Sequence, residues 1–199
     1  MNLSKVNVQS KIVDVNDRLG NSFLKRMQGT TKMIYDSLKI DGSKEYVFFR
    51  DTNSRTFPFT NVKSDSLPVS ESLAIQRISL VIITVEDATG VISAFTPIGA
   101  ATGTELPLLF SELSVSVGNE VVMKPITVQH FAPEFNKNAC NQDSNVFEMN
   151  TDLIIPPQLD FDFTVRAPVH TSTAPQSSSD YLRIVIEGVG AQFNAKANF

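Results

Sequence analysis

Apolar and polar residues alternate with a period of two along most of the chain after Glu45. Such alternation places every second side chain on the same face of a β-strand, so that one face is buried and the other solvated. Gly, Asn, Asp and Pro interrupt the alternation at intervals, as turns do. The pattern predicts eight strands: Glu45–Arg50, Leu73–Glu86, Val91–Thr96, Leu108–Val117, Glu120–Gln129, Val146–Ile155, Leu159–Arg166 and Tyr181–Phe193.

Several of these strands carry local irregularities. Within Leu73–Glu86 the apolar positions change face, which predicts a bulge near Arg77 or burial of both faces. Gly118-Asn119 is a signal for a two-residue hairpin, and Pro125 in the return strand predicts an edge strand or a bulge. Gly188 in the last strand predicts a further bulge or bend.

Eight antiparallel strands, each with one buried face, must stack as a sandwich or close as a barrel. The connections at 51–72, 131–145 and 167–180 are long, whereas an up-and-down barrel has short, regular hairpins. An immunoglobulin sandwich normally buries a Trp, and the chain has none. The sequence therefore predicts an all-β fold, a single eight-stranded antiparallel jelly-roll sandwich over residues 45–199.

Residues 1–44 follow a different pattern and are predicted to form a basic, partly helical N-terminal arm. Apolar residues are sparse there, and their fourfold spacing is typical of a short amphipathic helix. Such a helix is marginal by itself and needs a surface to lie on. The apolar positions are Leu19, Phe23 and Met27, and Met33, Ile34 and Leu38 are able to continue the pattern.

Charge divides the chain at the same point. Residues 1–44 carry eight Lys or Arg and four Asp, a net charge of +4, whereas residues 45–199 carry nine basic and seventeen acidic side chains, a net charge of -8. A basic arm on an acidic body favours an anionic partner, which is nucleic acid, a phospholipid surface or the acidic body of a neighbouring copy. A solvated extension without a specific partner is the alternative.

The residues that carry most enzyme chemistry are few. A single cysteine, Cys140, excludes an internal disulfide, and His130 and His170 are too far apart for the closely spaced pair of a cupin metal site. The sequence contains no nucleophile elbow, phosphate-binding Gly-rich loop or metalloprotease helix motif. The longest apolar run, Leu80–Ile83, is far short of the ~20 residues that span a bilayer. We therefore expect no catalytic residues, no cofactor and no metal site.

Two weaker candidates for chemistry remain, together with an aromatic group. His130 is able to act as a base with Glu134, although a surface histidine is commoner. Asp160 and Asp162 share a strand face, where a solvated pair is commoner than a glycosidase or calcium site. We expect five aromatic residues to pack in the core or an interface rather than to stack on bases or sugars: Tyr46, Phe48, Phe49, Phe57 and Phe59.

Two consecutive segments place a short aromatic strand, a polar loop, a Leu-Pro break and a long apolar strand in succession. They are EYVFFRDTNSRTFPFTNV (Glu45–Val62) and SLPVSESLAIQRISLVII (Ser66–Ile83). This layout resembles the opening of jelly-roll coat proteins from tailless icosahedral bacteriophages. Major coat proteins of the membrane-containing members usually carry two jelly rolls, and this chain has room for one. The resemblance therefore leaves a single-jelly-roll coat protein, a vertex protein or an accessory capsid protein.

The resemblance implies a structural virion protein that self-assembles into an icosahedral capsid and is not an enzyme. Its implied partners are further copies in capsomers, other capsid proteins, and nucleic acid or an internal membrane beneath the arm. Its implied location is the virion, and the host cytoplasm during assembly. The alternatives are a receptor- or glycan-binding module of a fibre or adhesin, and a small enzyme of the cupin or isomerase type. The arm residues expected to face the interior are Lys5, Lys11, Arg18, Lys25, Arg26 and Lys32.

Overall fold

In the computed structural model, nine β-strands form two antiparallel sheets within the part of the chain that the structure describes. The structure describes residues 27–98, 110–131, 146–168 and 177–193, together with residues 11, 12, 14, 18 and 108. The two antiparallel sheets confirm the predicted all-β sandwich. The strands are β1 (Met27–Lys39), β2 (Glu45–Phe48), β3 (Glu71–Glu86), β4 (Ile92–Pro97), β5 (Glu112–Val117), β6 (Glu120–Thr127), β7 (Val146–Ile155), β8 (Phe161–Arg166) and β9 (Ser178–Phe193).

Among the described residues, one sheet has five strands and the other has four. The five-stranded sheet has the order β1-β9-β3-β4, and β7 also pairs with β3. Both β4 and β7 pair with β3 because this strand is long: its first half pairs with β7 and its second half with β4, along the same edge. The four-stranded sheet has the order β2-β8-β5-β6.

The core lies between the two sheets and is built from their alternating inward positions. Phe49, Phe161 and Phe163 form an aromatic group in which the Phe49 ring centroid lies 5.2 Å and 5.6 Å from the other two. Leu80 and Ile184 face them from the five-stranded sheet and are fully buried. Each such side chain contributes roughly 1.5–3 kcal/mol by its removal from water.

Several predicted irregularities occur where the sequence indicates them. The register of β3 shifts between Ile75 and Arg77, which confirms the bulge near Arg77. Gly118 and Asn119 form the turn between β5 and β6, and β6 is an edge strand, as Pro125 predicts. The bulge predicted at Gly188 is wrong in its location, because β9 keeps a continuous register and the extra residue lies opposite it in β3.

The predicted helix does not extend through Met33, Ile34 and Leu38. These residues lie in β1, which pairs with β9 along its whole length from Met27↔Phe193 to Lys39↔Tyr181. The pairing of thirteen residues with β9 stabilises a strand here. The weak helical spacing of the segment cannot compete with it, because a short helix is only marginally stable without a surface to lie on. The last part of the predicted arm is therefore the first strand of the sandwich.

A part of the arm before β1 is helical. Lys11, Ile12, Asp14 and Arg18 have helical backbone, which agrees with a partly helical arm. Of the three residues on which the helix prediction depended, Met27 lies in β1 instead, and Leu19 and Phe23 lie outside the described residues. No helix in the described part of the chain combines the length and apolar character that crossing a membrane requires.

Candidate interaction surface

The outer faces of the two sheets differ in chemistry. Inward positions of β5 and β8 in the four-stranded sheet, such as Leu113 and Val165, are buried, and the outward positions of these two strands are polar, whereas the edge strand β6 exposes Val121 and Val122. The outward residues of β5 and β8 are Glu112, Ser114, Ser116, Asp162, Thr164 and Arg166. The outer face of the five-stranded sheet carries aromatic rings instead. It is therefore the better candidate for contact with a protein partner.

An aromatic patch occupies one end of this outer face. Residues paired across antiparallel strands point to the same side of a sheet. Tyr181 pairs with Ile83, and Ile83 pairs with Phe95, so all three share one row. Arg183 follows two positions after Tyr181 and belongs to the same face. We define the aromatic patch as Tyr35, Phe57, Phe59, Phe95, Tyr181 and Arg183.

The loop between β2 and β3 supplies two rings of the patch and is fixed to the edge of β1. The Asn61 N–H donates to the Tyr35 carbonyl (3.3 Å), and the Asn61 Oδ1 accepts the Tyr35 N–H (2.8 Å). The Asn61 side-chain amide also donates to the Met33 carbonyl (2.9 Å). These bonds satisfy backbone groups that an edge strand otherwise leaves open. They hold the loop where the Phe59 ring lies 4.8 Å from that of Tyr181.

Arg183 lies at the centre of the patch. Its guanidinium is 4.7 Å from the ring centroid of Tyr35 and 6.0 Å from that of Phe95. Its Nε donates to the Ser37 Oγ (2.8 Å), and its Nη2 donates to the Pro58 carbonyl. The cation is therefore positioned by rings and by neutral oxygens, and none of the ion pairs found among the described residues includes it.

The electrostatics of the patch follow from burial. Burial lowers the pKa of the Arg183 guanidinium, while the neighbouring Tyr35 and Asp36 oppose that shift. Burial also raises the pKa of the Tyr181 hydroxyl, and the Asp87 carboxylate raises it further. The raised pKa keeps the Tyr181 hydroxyl a neutral hydrogen-bond donor at neutral pH.

Two rings of the patch are unusually open to solvent. Phe57 is 82% exposed and Phe95 is 63% exposed. The Phe95 ring adjoins Arg183, and Phe57 directly precedes Pro58, whose carbonyl accepts a hydrogen bond from Arg183. Aromatic residues and Arg are enriched at the centres of protein interfaces, and rings gathered in this way differ from singly scattered apolar residues. The patch is therefore suited to burial by a partner.

A buried carboxylate anchors the loop from the core side of the sheet. Asp36 on β1 is fully buried and accepts two hydrogen bonds from Arg55, at 3.1 Å from Nε and 2.7 Å from Nη2. It also accepts the N–H groups of Ser37 (3.0 Å) and Phe49 (2.7 Å). Phe49 has a positive φ of 65°, a backbone conformation that such bonds hold in place. Sequence reasoning counted Asp36 only as an acid of the arm.

No protein-family model, curated protein or solved structure matches this chain.

The structure does not gather the predicted arm residues into one site. Lys11 and Arg18 each have helical backbone and are exposed. Lys32 lies on β1 and forms an ion pair with Glu71 of β3, with Gly190 of β9 between them. Lys32 thus has a partner within the sandwich. Three of the predicted residues lie outside the described part of the chain: Lys5, Lys25 and Arg26.

The remaining candidates are placed as follows. His130 is exposed in the 3-10 helix Val128–Phe131. Its proposed partner Glu134 lies outside the described residues, and so do Cys140 and His170. Asp162 is bonded to Arg50 at 2.8 Å, and Asp160 is exposed. Within the described ranges no three His, Cys, Asp or Glu side chains are grouped as metal ligands.

The five aromatic residues of the sequence prediction divide into two groups. Tyr46, Phe48 and Phe49 are buried, which confirms the expected core packing. Phe57 and Phe59 belong to the aromatic patch on the surface. The sequence indicated only that a polar loop carries these two rings, and the loop covers the sheet because Asn61 attaches it there.

Proposed function

We propose that the chain is a structural virion protein, a single jelly roll that assembles with copies of itself and other capsid proteins into an icosahedral capsid. Its location is then the virion, and the host cytoplasm during assembly. The proposed role is mechanical and includes no enzymatic step.

The strand pairing is the observation that carries this proposal. A jelly roll is a double-sheet fold of eight strands, formed when nested antiparallel pairs wrap into two facing sheets. The pairs β1·β9, β2·β8, β3·β7 and β5·β6 are nested in this order along the chain. They alternate between the two sheets, as wrapping requires. In this interpretation β4 is an additional strand on the free edge of β3.

Surface and charge favour a capsid protein among the jelly-roll classes, which include capsid domains, lectins and cupins. The aromatic patch lies on a sheet face rather than in a deep cleft, and a flat face suits a protein neighbour. Residues 1–26 carry five basic and two acidic side chains, a net charge of +3, ahead of an acidic sandwich. A positive extension of this kind suits the anionic contents of a virus particle.

A glycan-binding module is the second candidate, and the exposed rings favour it. The exposed Phe95 ring lies near the Arg183 cation, the loop beside it exposes Phe57, and amphipathic aromatic surfaces bind partly apolar ligands. A glycan-binding module would be a monomer or a trimer, and it would have no use for the basic arm.

Removing the two exposed rings of the patch is expected to prevent assembly without unfolding the protein. The purified full chain should form shells or rings in negative-stain electron micrographs and elute far above 21.9 kDa in size-exclusion chromatography with light scattering. The double variant Phe57→Ser/Phe95→Ser should remain a small species. Its melting temperature should change by less than about 4 °C, because exposed side chains contribute little to stability.

Phe110 supplies a matched control, since it is 64% exposed and lies two residues before β5 of the other sheet. Phe110→Ser should assemble as the unmodified chain does. A chain that stays monomeric at every concentration and salt condition would contradict the capsid proposal, and glycan-array binding lost in Phe57→Ser/Phe95→Ser would establish the second candidate. Equal loss of assembly in the control would show that the patch is not the contact surface.

A further inference from the structure

The first half of β1 is the least protected sheet edge among the described strands. Sheet edges are normally blunted by bulges, proline, charged side chains or short strands. The pairing of β4, β6 and β7 shifts in register, Pro125 lies within β6, and β2 has only four residues. In contrast, β1 pairs with β9 without a shift over thirteen residues. The one charged side chain of Met27–Met33 is Lys32, which is already paired with Glu71 of its own sheet.

The hydrogen bonds of Asn61 show which backbone groups of β1 point away from β9. Asn61 binds both the N–H and the C=O of Tyr35, and its side-chain amide donates to the C=O of Met33. Successive residues of an antiparallel strand direct these groups to opposite sides. The backbone groups of every second residue from Met33 back to Met27 therefore point outward, along the open edge.

Gly29 and Thr31 carry the outward groups at the middle of this segment. In the ranges that the structure describes, no strand lies beyond β1 in the sheet order, and neither N–H donates to another segment. The Thr31 carbonyl accepts the Thr30 hydroxyl (3.3 Å), but a carbonyl oxygen has a second lone pair. Both residues are therefore able to pair with a further strand.

The same edge of a second copy fits this segment in an antiparallel pairing centred on Thr30. A two-fold axis at that residue places Gly29 of one copy opposite Thr31 of the other, so that each such pair exchanges two hydrogen bonds. Met27 then lies opposite Met33, where the loop between β2 and β3 is attached to the edge. The loop stops the partner strand at this register. The contact uses the same surface on both copies, as a closed dimer requires.

The side chains near the axis suit this pairing. Thr30 is exposed on the inner side of the five-stranded sheet, so the four-stranded sheet does not cover the axis. Two Thr30 side chains lie directly opposite each other across the axis, and threonine pairs of this kind are favourable between strands. On the outer side Met33 is 51% exposed at the border of the contact. The second copy would cover part of this apolar side chain.

We propose that two copies of the chain associate through the Met27–Met33 edge of β1 as a two-fold dimer, which joins their five-stranded sheets into one sheet of ten strands. The inference rests on the proposed self-assembly and assigns it a second contact, separate from the aromatic patch. Main-chain hydrogen bonds supply most of the affinity of such strand addition. Seven paired residues cover less area than a standard interface of about 1,600 Å², so we expect a weak, concentration-dependent dimer.

Sedimentation velocity of the full chain carrying Phe57→Ser/Phe95→Ser measures this contact without larger assemblies. We expect a monomer and a dimer of twice 21.9 kDa, with a dimer fraction that rises with protein concentration. Adding Thr31→Pro removes an N–H that points away from β9 and should weaken the dimer about tenfold or more, because the two-fold axis doubles the loss of one hydrogen bond. The melting temperature should change by less than about 4 °C.

Charges placed on the axis test the geometry of the pairing. In the same background, Thr30→Glu and Thr30→Lys each set two like charges directly opposite and should weaken the dimer about fivefold or more. An equimolar mixture of the two variants should recover the dimer, because unlike charges then meet across the axis. A changed fold of either variant could not produce this recovery. Thr127→Glu is the matched control, since Thr127 is an exposed threonine on β6 of the other sheet, and it should leave dimerisation unchanged.

The remaining outcomes overturn the inference. A background variant that is monomeric at every concentration would refute it, and so would a dimer that is insensitive to Thr31→Pro and Thr30→Glu. A mixture that fails to recover would exclude the antiparallel pairing centred on Thr30. Shells formed by an unmodified chain whose β1 edge does not dimerise would refute this inference and leave the capsid proposal standing. Dimers formed through this edge by a chain that never makes larger particles would do the reverse.

Discussion

Asp36→Ala is expected to lower the free energy of unfolding by about 3–5 kcal/mol, because removing one partner of a buried ion pair leaves the other charge without compensation. The Arg55 guanidinium, which is largely buried itself, would lose both of its bonds to the carboxylate. The Phe49 N–H would lose its acceptor while its backbone stays at positive φ. Urea unfolding followed by circular dichroism at 25 °C measures the change.

A surface ion pair provides the comparison. Asp162 bonds Arg50, whose side chain is 59% exposed, so Asp162→Ala should cost less than about 1 kcal/mol. Arg55→Ala should be nearly as damaging as Asp36→Ala, and the double variant should cost much less than the sum of the two. Additive losses, or an Asp36→Ala variant as stable as Asp162→Ala, would show that the buried pair does not hold the loop in place.

Gly188→Ala is expected to destabilise the sandwich by about 3 kcal/mol or more, because the new methyl group has no space. A Cβ at this position would lie 1.9 Å from the Ala74 carbonyl oxygen and 2.9 Å from its carbon. These are backbone atoms of the paired strand β3 at its bulge, and they cannot rotate away. The clash falls in the centre of the five-stranded sheet, so that either β3 or β9 must move.

The matched control for this variant is Gly90→Ala in the turn after β3. Nothing lies within 4 Å of a Cβ there, and the only penalty is the positive φ of 68°, which costs about 1–2 kcal/mol. The same urea titrations should therefore rank Gly188→Ala clearly below Gly90→Ala in stability. The opposite order would mean that β3 and β9 separate more easily than their contact distance indicates.

The failure to predict β1 has a local cause. Its inward positions are Ile34, Asp36 and Leu38, so a charged residue interrupts the apolar face that would have revealed a strand. The carboxylate is tolerated in the core only because Arg55 reaches it from 19 positions later in the chain. An arrangement that depends on so distant a partner leaves no periodic signal in the segment itself.

The aromatic patch could be predicted only in part for a related reason. The sequence marked Phe57 and Phe59 as aromatic residues in a polar loop. Their neighbours come from β1, β4 and β9, and only strand pairing brings Phe95 and Arg183 into the same region. Because the patch is made of four separate segments, no sequence pattern within any one of them predicts it.

By itself the sequence determined the all-β class, the positions of most strands, the bulge near Arg77 and the hairpin at Gly118-Asn119, because these depend on side-chain alternation and turn residues over a few positions. Only the tertiary structure decided that Met27–Lys39 is a strand, that Asp36 is buried, and that Lys32 pairs with Glu71. Those outcomes depend on partners far away in the chain, and the hydrogen bonds and buried area that such partners provide outweigh the local preference of the segment.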